Sequence, residues 1–581
     1  RWRMFGNQDF KVKILKGLDF KTTLGFDYSN TEETNFTPQT LLPQGQVSSS
    51  YLTTGKNYSF INENTLNYRT TLANDHNLTF LLGQSYQKFT DNNVNVIGRG
   101  LIDATITSIN GTSVVSLYNQ NIEEYSLLSY FARANYDYKG KYLFSAVMRA
   151  DGSSRFGADN RFGYFPSFSA GWRLSEEDWF KKISFISDAK IRGSFGVTGN
   201  QSIGNYAWQG SLSTIGTYLG NVAIVSNGVP NASLKWETTE QTNIGLDLSF
   251  LRDRIRFTAD AYLKKTTGLL FDVAVPGTTG YATVPANFGS LENKGLEFTL
   301  STVNIDREFK WNSTFTFSLN RNKVLSLPGN QDYRPNIYNM ARVGQTAGVF
   351  YGLKALGVYA YDTDNVYQRD PAGAVVPYRQ GSANGSIYKG GDVIWEDING
   401  DGIINDSDLQ VIGDPNPDFT GGFQNEFSYK NFTLSTLITY SFGNDVFNEV
   451  KRNLDATPYD QNFTTDQLRR WRKPGDVTDV PRLVKTDPML NNAISSRFVE
   501  DGSFIRIQNL ALNYRIPAKV LNKLKINNAT VGFSVVNLLT FGSYTGYDPE
   551  VSSSTNALAV GVDRGSFPRT RTYNLSLNFS L

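Results

Sequence analysis

Cysteine is absent from the 581 residues, and histidine occurs once, as His76. No disulfide framework, thiolate metal centre or cysteine nucleophile is therefore available. A lone histidine in a polar turn reads as solvated rather than catalytic, nothing resembles a Ser–His–Asp triad, and no enzyme activity is expected. Nor does any stretch approach the roughly 18 consecutive apolar residues of a membrane-crossing helix. An excess of charge is missing too: 56 Lys and Arg stand against 54 Asp and Glu, a net +2. That balance gives no reason to propose nucleic acid as a partner.

Aromatic rings are abundant instead. The chain has 39 Phe, 31 Tyr and 8 Trp at a mean hydropathy of −0.35. Many rings at low mean hydropathy fit an outer-membrane β-barrel, in which only every second strand residue is apolar. The last residues alternate strictly. Tyr573, Leu575, Leu577, Phe579 and Leu581 share one face, and Thr572, Asn574, Ser576, Asn578 and Ser580 share the other. Ile244, Leu246, Leu248 and Phe250 repeat the pattern, as do Trp311, Phe315, Phe317 and Leu319. So do Phe432, Leu434, Ile438, Tyr440 and Phe442, with Leu437 as a local exception on the polar side. The repetition predicts lipid outside and water or a plug inside, with girdles formed by rings such as Tyr136, Tyr138, Trp236, Phe250, Trp311 and Tyr440. On the predicted inner face, Arg133, Asn135 and Asp137 would meet plug or water.

The connections alternate in length. Short polar turns sit at Lys16-Gly17-Leu18, Asn74-Asp75-His76, Lys139-Gly140-Lys141, Arg252-Asp253-Arg254 and Lys430-Asn431. Long Gly-, Asn-, Ser- and Thr-rich stretches fall near 31–57, 90–122, 199–235, 269–290, 321–417, 444–500 and 541–566. Short turns on one side and long loops on the other are the periplasmic and extracellular ends of a bacterial barrel. Two longer periplasmic links, partly helical, are expected near 176–188 and 516–527. Counting gives about 17 strands at roughly 10 residues each. An odd number with a downward final strand makes the first strand start outside, so the sequence is expected to be part of a longer chain.

Several blocks resemble one family. Tyr130-Phe131-Ala132-Arg133-Ala134-Asn135-Tyr136 is followed by Arg149-Ala150-Asp151-Gly152-Ser153-Ser154-Arg155-Phe156-Gly157. Phe165-Pro166-Ser167, Ala170-Gly171-Trp172-Arg173 and Arg192-Gly193-Ser194-Phe195-Gly196-Val197-Thr198-Gly199-Asn200-Gln201 come next. Then follow Asn293-Lys294-Gly295-Leu296-Glu297, Gly413-Asp414-Pro415-Asn416-Pro417-Asp418-Phe419, Tyr547-Asp548-Pro549-Glu550-Val551 and Phe567-Pro568-Arg569-Thr570-Arg571-Thr572-Tyr573. In this order they resemble SusC/RagA-like TonB-dependent outer-membrane transporters.

The resemblance implies an all-β fold: a large antiparallel transmembrane β-barrel of 22 strands, about 17 of them here, with an N-terminal plug outside this sequence. Residues 1–581 are then one partial barrel with long extracellular loops in the outer membrane of a Gram-negative cell. The resemblance further implies import of oligosaccharides, glycans or peptides with a SusD-like surface lipoprotein, in a dimer of such pairs. Work would come from the TonB system through the N-terminal region. A TonB-dependent siderophore or cobalamin receptor is the alternative, as is a passive porin or scaffold barrel.

The sharpest local motif lies within 321–417. Residues Asp397 to Asp408 follow the D-x-N-x-D-G calcium-loop pattern. Asp397, Asn399 and Asp401 would supply side-chain oxygens, Ile403 its carbonyl, Asn405 a ligand water, and Asp408 the place usually held by glutamate. A structural Ca2+ that stiffens the loop is expected, without the paired helices of a sensor. No organic cofactor is expected. For ligand stacking, the loop aromatics Tyr206, Trp208, Tyr351 and Tyr544 are candidates, though each could equally pack loops together.

Overall fold

A computed structural model describes every residue except 43, 44, 102, 104, 227, 456–461, 485, 486, 523–525 and 581, so Leu581 lies outside the described residues. Among those described, seventeen long strands belong to one sheet, the number that the alternation predicts. In chain order they are β1 (Trp2–Leu15), β2 (Leu18–Thr37), β3 (Ser49–Leu72), β4 (His76–Leu101), β5 (Thr112–Tyr138) and β6 (Tyr142–Ser153). Next come β7 (Phe162–Arg173), β8 (Ile186–Asn200), β9 (Glu237–Phe250), β10 (Ile255–Thr267), β11 (Ser290–Asp306) and β12 (Phe309–Ser326). The last are β13 (Phe419–Tyr429), β14 (Phe432–Phe442), β15 (Phe504–Arg515), β16 (Asn528–Gly542) and β17 (Thr572–Ser580).

The chain divides into two compact units. The first holds residues 1–182, 190–244 and 264–290, and the second holds 183–189, 245–263 and 291–581. In the first, β1 to β8 pair antiparallel, each with its successor. The turns explain why hairpins form there. Lys139 and Gly140 both take positive φ, 54° and 66°, and Lys141 N–H bonds to Tyr138 O at 2.9 Å. That left-handed pair matches the twist of the flanking strands. At the neighbouring turn Gly17 has φ 84°, a region where a side chain would strain the backbone.

Strands β2 to β5 are 20, 24, 26 and 27 residues long, against the roughly 9–11 that cross a bilayer. The expected loops 31–57 and 90–122 are therefore corrected to short connections, 38–48 and 102–111. Thr31 to Thr37 pair with Gly55 to Ser49, and Thr90 to Ile97 pair with Glu124 to Leu117. These segments read as loops because Thr, Asn and Glu occupy both faces. Mutual pairing satisfies their backbone groups without needing an apolar face.

In the second unit β12 to β17 form a continuous antiparallel set. Its register aligns Trp311, Phe427, Leu434, Leu512, Phe533 and Leu575 in one row across six strands. One row nearer the short turns run Phe309, Tyr429, Phe432, Tyr514, Val531 and Leu577. Phe432 and Tyr514 have ring centroids 4.6 Å apart, a cross-strand pair worth about 0.5–1 kcal/mol. The opposite face carries Asn312, Glu426, Ser435, Ala511, Ser534 and Asn574 in register. Period two thus separates a greasy face from a polar one, with Ser313, Asn425 and Thr436 in register as a polar patch on the first and Leu437 as an apolar residue on the second.

Two expectations change. Trp236 is not a girdle residue: it lies buried against Phe156, Phe165 and Leu234, and its indole donates to Arg161 O at 2.8 Å. His76 is not free in solvent either. It opens β4, stacks on Tyr136, meets the tilted Tyr138 ring at 4.7 Å, and its Nδ1 lies 2.8 Å from the Tyr136 hydroxyl. The links 174–185 and 516–527 contain a short 3-10 turn at Leu174–Glu176 and a short helix at Ala518–Leu521.

Candidate functional site

The long connections of the second unit, 327–418 and 443–503, hold most of its buried core. Leu353, Tyr359, Tyr388, Val393, Trp395, Ile404 and Met489 pack as one cluster, and Tyr338, Phe350, Phe447, Phe498 and Val562 as another. Loops with cores of this kind are folded modules, built to hold a surface in a fixed shape. Asp392, fully buried, pins them together. Its carboxylate accepts Nε of Arg482 at 2.7 Å, Nδ2 of Asn491 at 2.9 Å and the Lys389 amide at 2.8 Å. Burial pushes the nearby Tyr359 and Tyr388 hydroxyls well above the usual phenol range, so both stay neutral.

Within this module a cavity of about 590 Å³ is lined by Arg334, Tyr351, Gln380, Asn405, Asp406 and Arg452 among others. Tyr351 is its aromatic wall. The guanidinium carbons of Arg334 and Arg342 lie 4.8 and 5.3 Å from the ring centroid, and Arg342 Nη2 donates to the hydroxyl at 3.2 Å. Asp332 grips Arg342 with both oxygens, the nearest bond at 2.7 Å, and raises its already high pKa further. Among the described residues Arg334 has no carboxylate partner, so its guanidinium donors are available in the lining of the cavity.

The Asx-rich loop borders the same cavity through Asn405 and Asp406. Its side chains hold its own backbone. Asp397 accepts the Gly400 and Gly402 amides, each at 2.8 Å, and Asp401 accepts Ile403 N–H at 2.7 Å. Asn399 accepts Asp401 N–H at 3.2 Å, and Asn405 accepts Ser407 N–H at 2.7 Å. Asp408, fully buried, takes the amides of Ile398 and Asn405, each at 2.9 Å. Gly402 has φ 74°, and a Cβ there would meet the Tyr367 ring at 2.6 Å. The donor set is all oxygen, as calcium prefers, and a carboxylate oxygen holding one N–H keeps a second lone pair. Among the described residues no three acidic, His or Cys side chains form a metal-sized group. An ion would have to draw Asp397, Asp401 and Asp408 together.

The other three candidate aromatics have packing partners. In the first unit, Tyr206 accepts Glu124 N–H at 3.0 Å, and Trp208 donates to Ser154 O at 3.3 Å while touching the Phe156 and Trp236 cluster. In the second, Tyr544 donates to Asp563 at 2.6 Å, and burial raises its pKa well above the phenol range. Only Tyr351 lines the cavity in the loop module. In the first unit, Asp137 accepts Gly140 N–H at 2.8 Å and Asn135 accepts the Ser145 hydroxyl at 2.7 Å.

The family pattern described as "TonB dependent receptor-like, beta-barrel" matches residues 3–538. TonB-dependent receptor P3 of Formosa agariphila is 34% identical over 595 residues, spanning 97% of this chain and 57% of that protein. TonB-dependent receptor SusC of Bacteroides thetaiotaomicron is 30% identical over 465 residues, 78% of this chain and 43% of SusC. Among solved structures, the RagAB peptide transporter superposes with a TM-score of 0.84 at 23% identity, covering 99% of this chain and 62% of the matched one. The chain therefore matches between 43% and 62% of the length of these relatives.

Proposed function

The chain belongs to the TonB-dependent receptor family, as its outer-membrane β-barrel part, and from that premise we propose that the intact protein actively imports oligosaccharides or peptides. The family is one of transporters and receptors rather than enzymes. A barrel of this class has a lumen wide enough to pass such molecules, so it must be plugged to remain a barrier. No nucleotide energy exists in the outer membrane. The work is delivered by TonB pulling on the N-terminal region, and a SusD-like surface lipoprotein captures the cargo, in a dimer of transporter–lipoprotein pairs.

The observation that carries this reading is the folded loop module. A passive pore needs no 92-residue connection (327–418) with its own core, and a preformed surface with an aromatic wall and an available guanidinium suits a polar, extended cargo. Uptake of labelled oligosaccharide and peptide mixtures by cells with and without this gene, and with and without TonB, tests it. Uptake should require both. Uptake without TonB would make the barrel a passive pore or scaffold, and loss of ferric-siderophore or cobalamin uptake instead would establish the other receptor class. For the Asx-rich loop we propose a structural Ca2+ held by Asp397, Asn399, Asp401, Ile403 O, Asn405 through water, and Asp408. The spacing supports it, as does a backbone already folded around the all-oxygen donor set.

A further inference from the structure

Strand β5 outruns β6. Its residues Leu127 to Tyr138 pair with Ser153 to Tyr142, whereas its first fifteen, Thr112 to Ser126, pair only with β4. At the lower end of this free edge, side chains already serve the backbone. Ser126 N–H donates to Ser154 Oγ at 2.9 Å, and Glu124 N–H donates to the Tyr206 hydroxyl at 3.0 Å. Alternation then aims the N–H and C=O of Ile122, Gln120 and Tyr118 along the same edge. Among the described residues no backbone group meets them, and residues 113–122 are all exposed.

Exposed edges are normally blunted by Lys, Pro or an inward charge, because unpaired peptide groups recruit other strands. From Thr112 to Ser126 there is no Lys, Arg, Pro or Gly, and the two charges, Glu123 and Glu124, lie at its lower end, Glu124 held by Lys88 at 3.2 Å. Above them, from Ser113 to Ile122, the side chains are Val114, Val115, Leu117, Tyr118 (83% exposed) and Ile122, interleaved with Asn, Gln and Ser. This is the composition of a strand that is covered in use.

We propose that this edge of β5 docks an extended backbone segment of the surface lipoprotein, by strand addition. The proposal rests on the transporter–lipoprotein reading above. A second copy of this chain does not fit the edge. Two copies in one membrane stand the same way up, so a two-fold axis along the membrane normal sets Tyr118, Gln120 and Ile122 level with their own counterparts. Parallel pairing instead needs a one-residue offset, so that each outward residue bonds to the peptide groups flanking its neighbour. Oligosaccharide cargo fits poorly as well, because it has no peptide groups to pair with the edge.

The test purifies the intact transporter in mild detergent and quantifies the lipid-anchored protein that accompanies it. Gln120→Pro deletes one outward N–H and leaves pairing to β4 through Asn119 and Asn121 intact. Gln120→Ala removes only the side chain. Co-purification should fall about tenfold for the proline variant and stay within about twofold for alanine, with both barrels keeping their heat-dependent gel shift. A photocrosslinker at Tyr118 should label the lipoprotein. Equal recovery with Gln120→Pro and no crosslink would overturn the docking site while leaving the partnership standing. No lipoprotein with the unmodified transporter would overturn both.

Discussion

Arg506, 1% exposed, donates Nη2 to Asp548 at 2.6 Å and Nη1 to Glu550 at 2.7 Å, tying β15 to the 543–571 connection. Its Nε completes the set on Thr540 Oγ1 at 2.9 Å, and Arg569 approaches Glu550 at 3.2 Å from the other side. A buried guanidinium is stable only while all its donors are met, and removing it takes from the largely buried Asp548 its nearest cation, while Glu550 keeps Arg569. Arg506→Ala should destabilise this junction by about 3 kcal/mol. Hydrogen exchange should rise in 543–571 before it rises in β12 to β14. Unchanged protection across that connection would mean that the ion pairs contribute nothing there.

The two faces of the second unit should respond oppositely to charge. Ile438 lies mid-strand on the apolar face, paired with Phe423 and Ile507, whereas Ser435 sits on the polar face between Glu426 and Ala511. Placed against hydrocarbon, arginine costs about 2–4 kcal/mol near the bilayer midplane. Ile438→Arg should lower unfolding free energy in lipid vesicles by about that much, and Ser435→Arg should stay within about 0.5 kcal/mol. Similar losses for both, measured by urea titration, would mean that the apolar face does not meet lipid.

What the sequence reveals depends on where each residue's partner sits. Strand β14 was legible because Phe432, Leu434, Ile438 and Tyr440 alternate with polar residues, and the β5–β6 turn because Lys139-Gly140 carries its own geometry. The upper part of β5 was not. Its two faces both meet water, so Ser116, Asn119 and Asn121 gave no contrast and read as loop. Trp236 looked like a girdle ring because it precedes a strand, yet its partners Phe156 and Phe165 lie some seventy to eighty residues earlier in the chain. Arg506 escaped for the same reason: its acceptors Asp548 and Glu550 are 42 and 44 residues away. The one available hint was a charged residue flanked by Ile505 and Ile507 in an alternating strand.

The Asx-rich loop makes a prediction that separates metal binding from a self-capped turn. If an ion gathers Asp397, Asp401 and Asp408, terbium should occupy the site, and Tyr367, whose hydroxyl donates to Gly400 O at 2.5 Å, is close enough to sensitise its luminescence. Excess calcium should quench that emission, whereas magnesium, which demands a tighter octahedron, should not. Asp401→Asn should abolish the emission yet keep the loop folded, since its amide oxygen can still accept Ile403 N–H. Asp408→Ala should do more. It removes the acceptor for both Ile398 and Asn405 amides, so proteolysis within 397–408 should quicken even without metal. Emission that is absent from the unaltered protein, or that survives Asp401→Asn, would reduce the loop to a hydrogen-bonded turn whose aspartates serve its backbone alone.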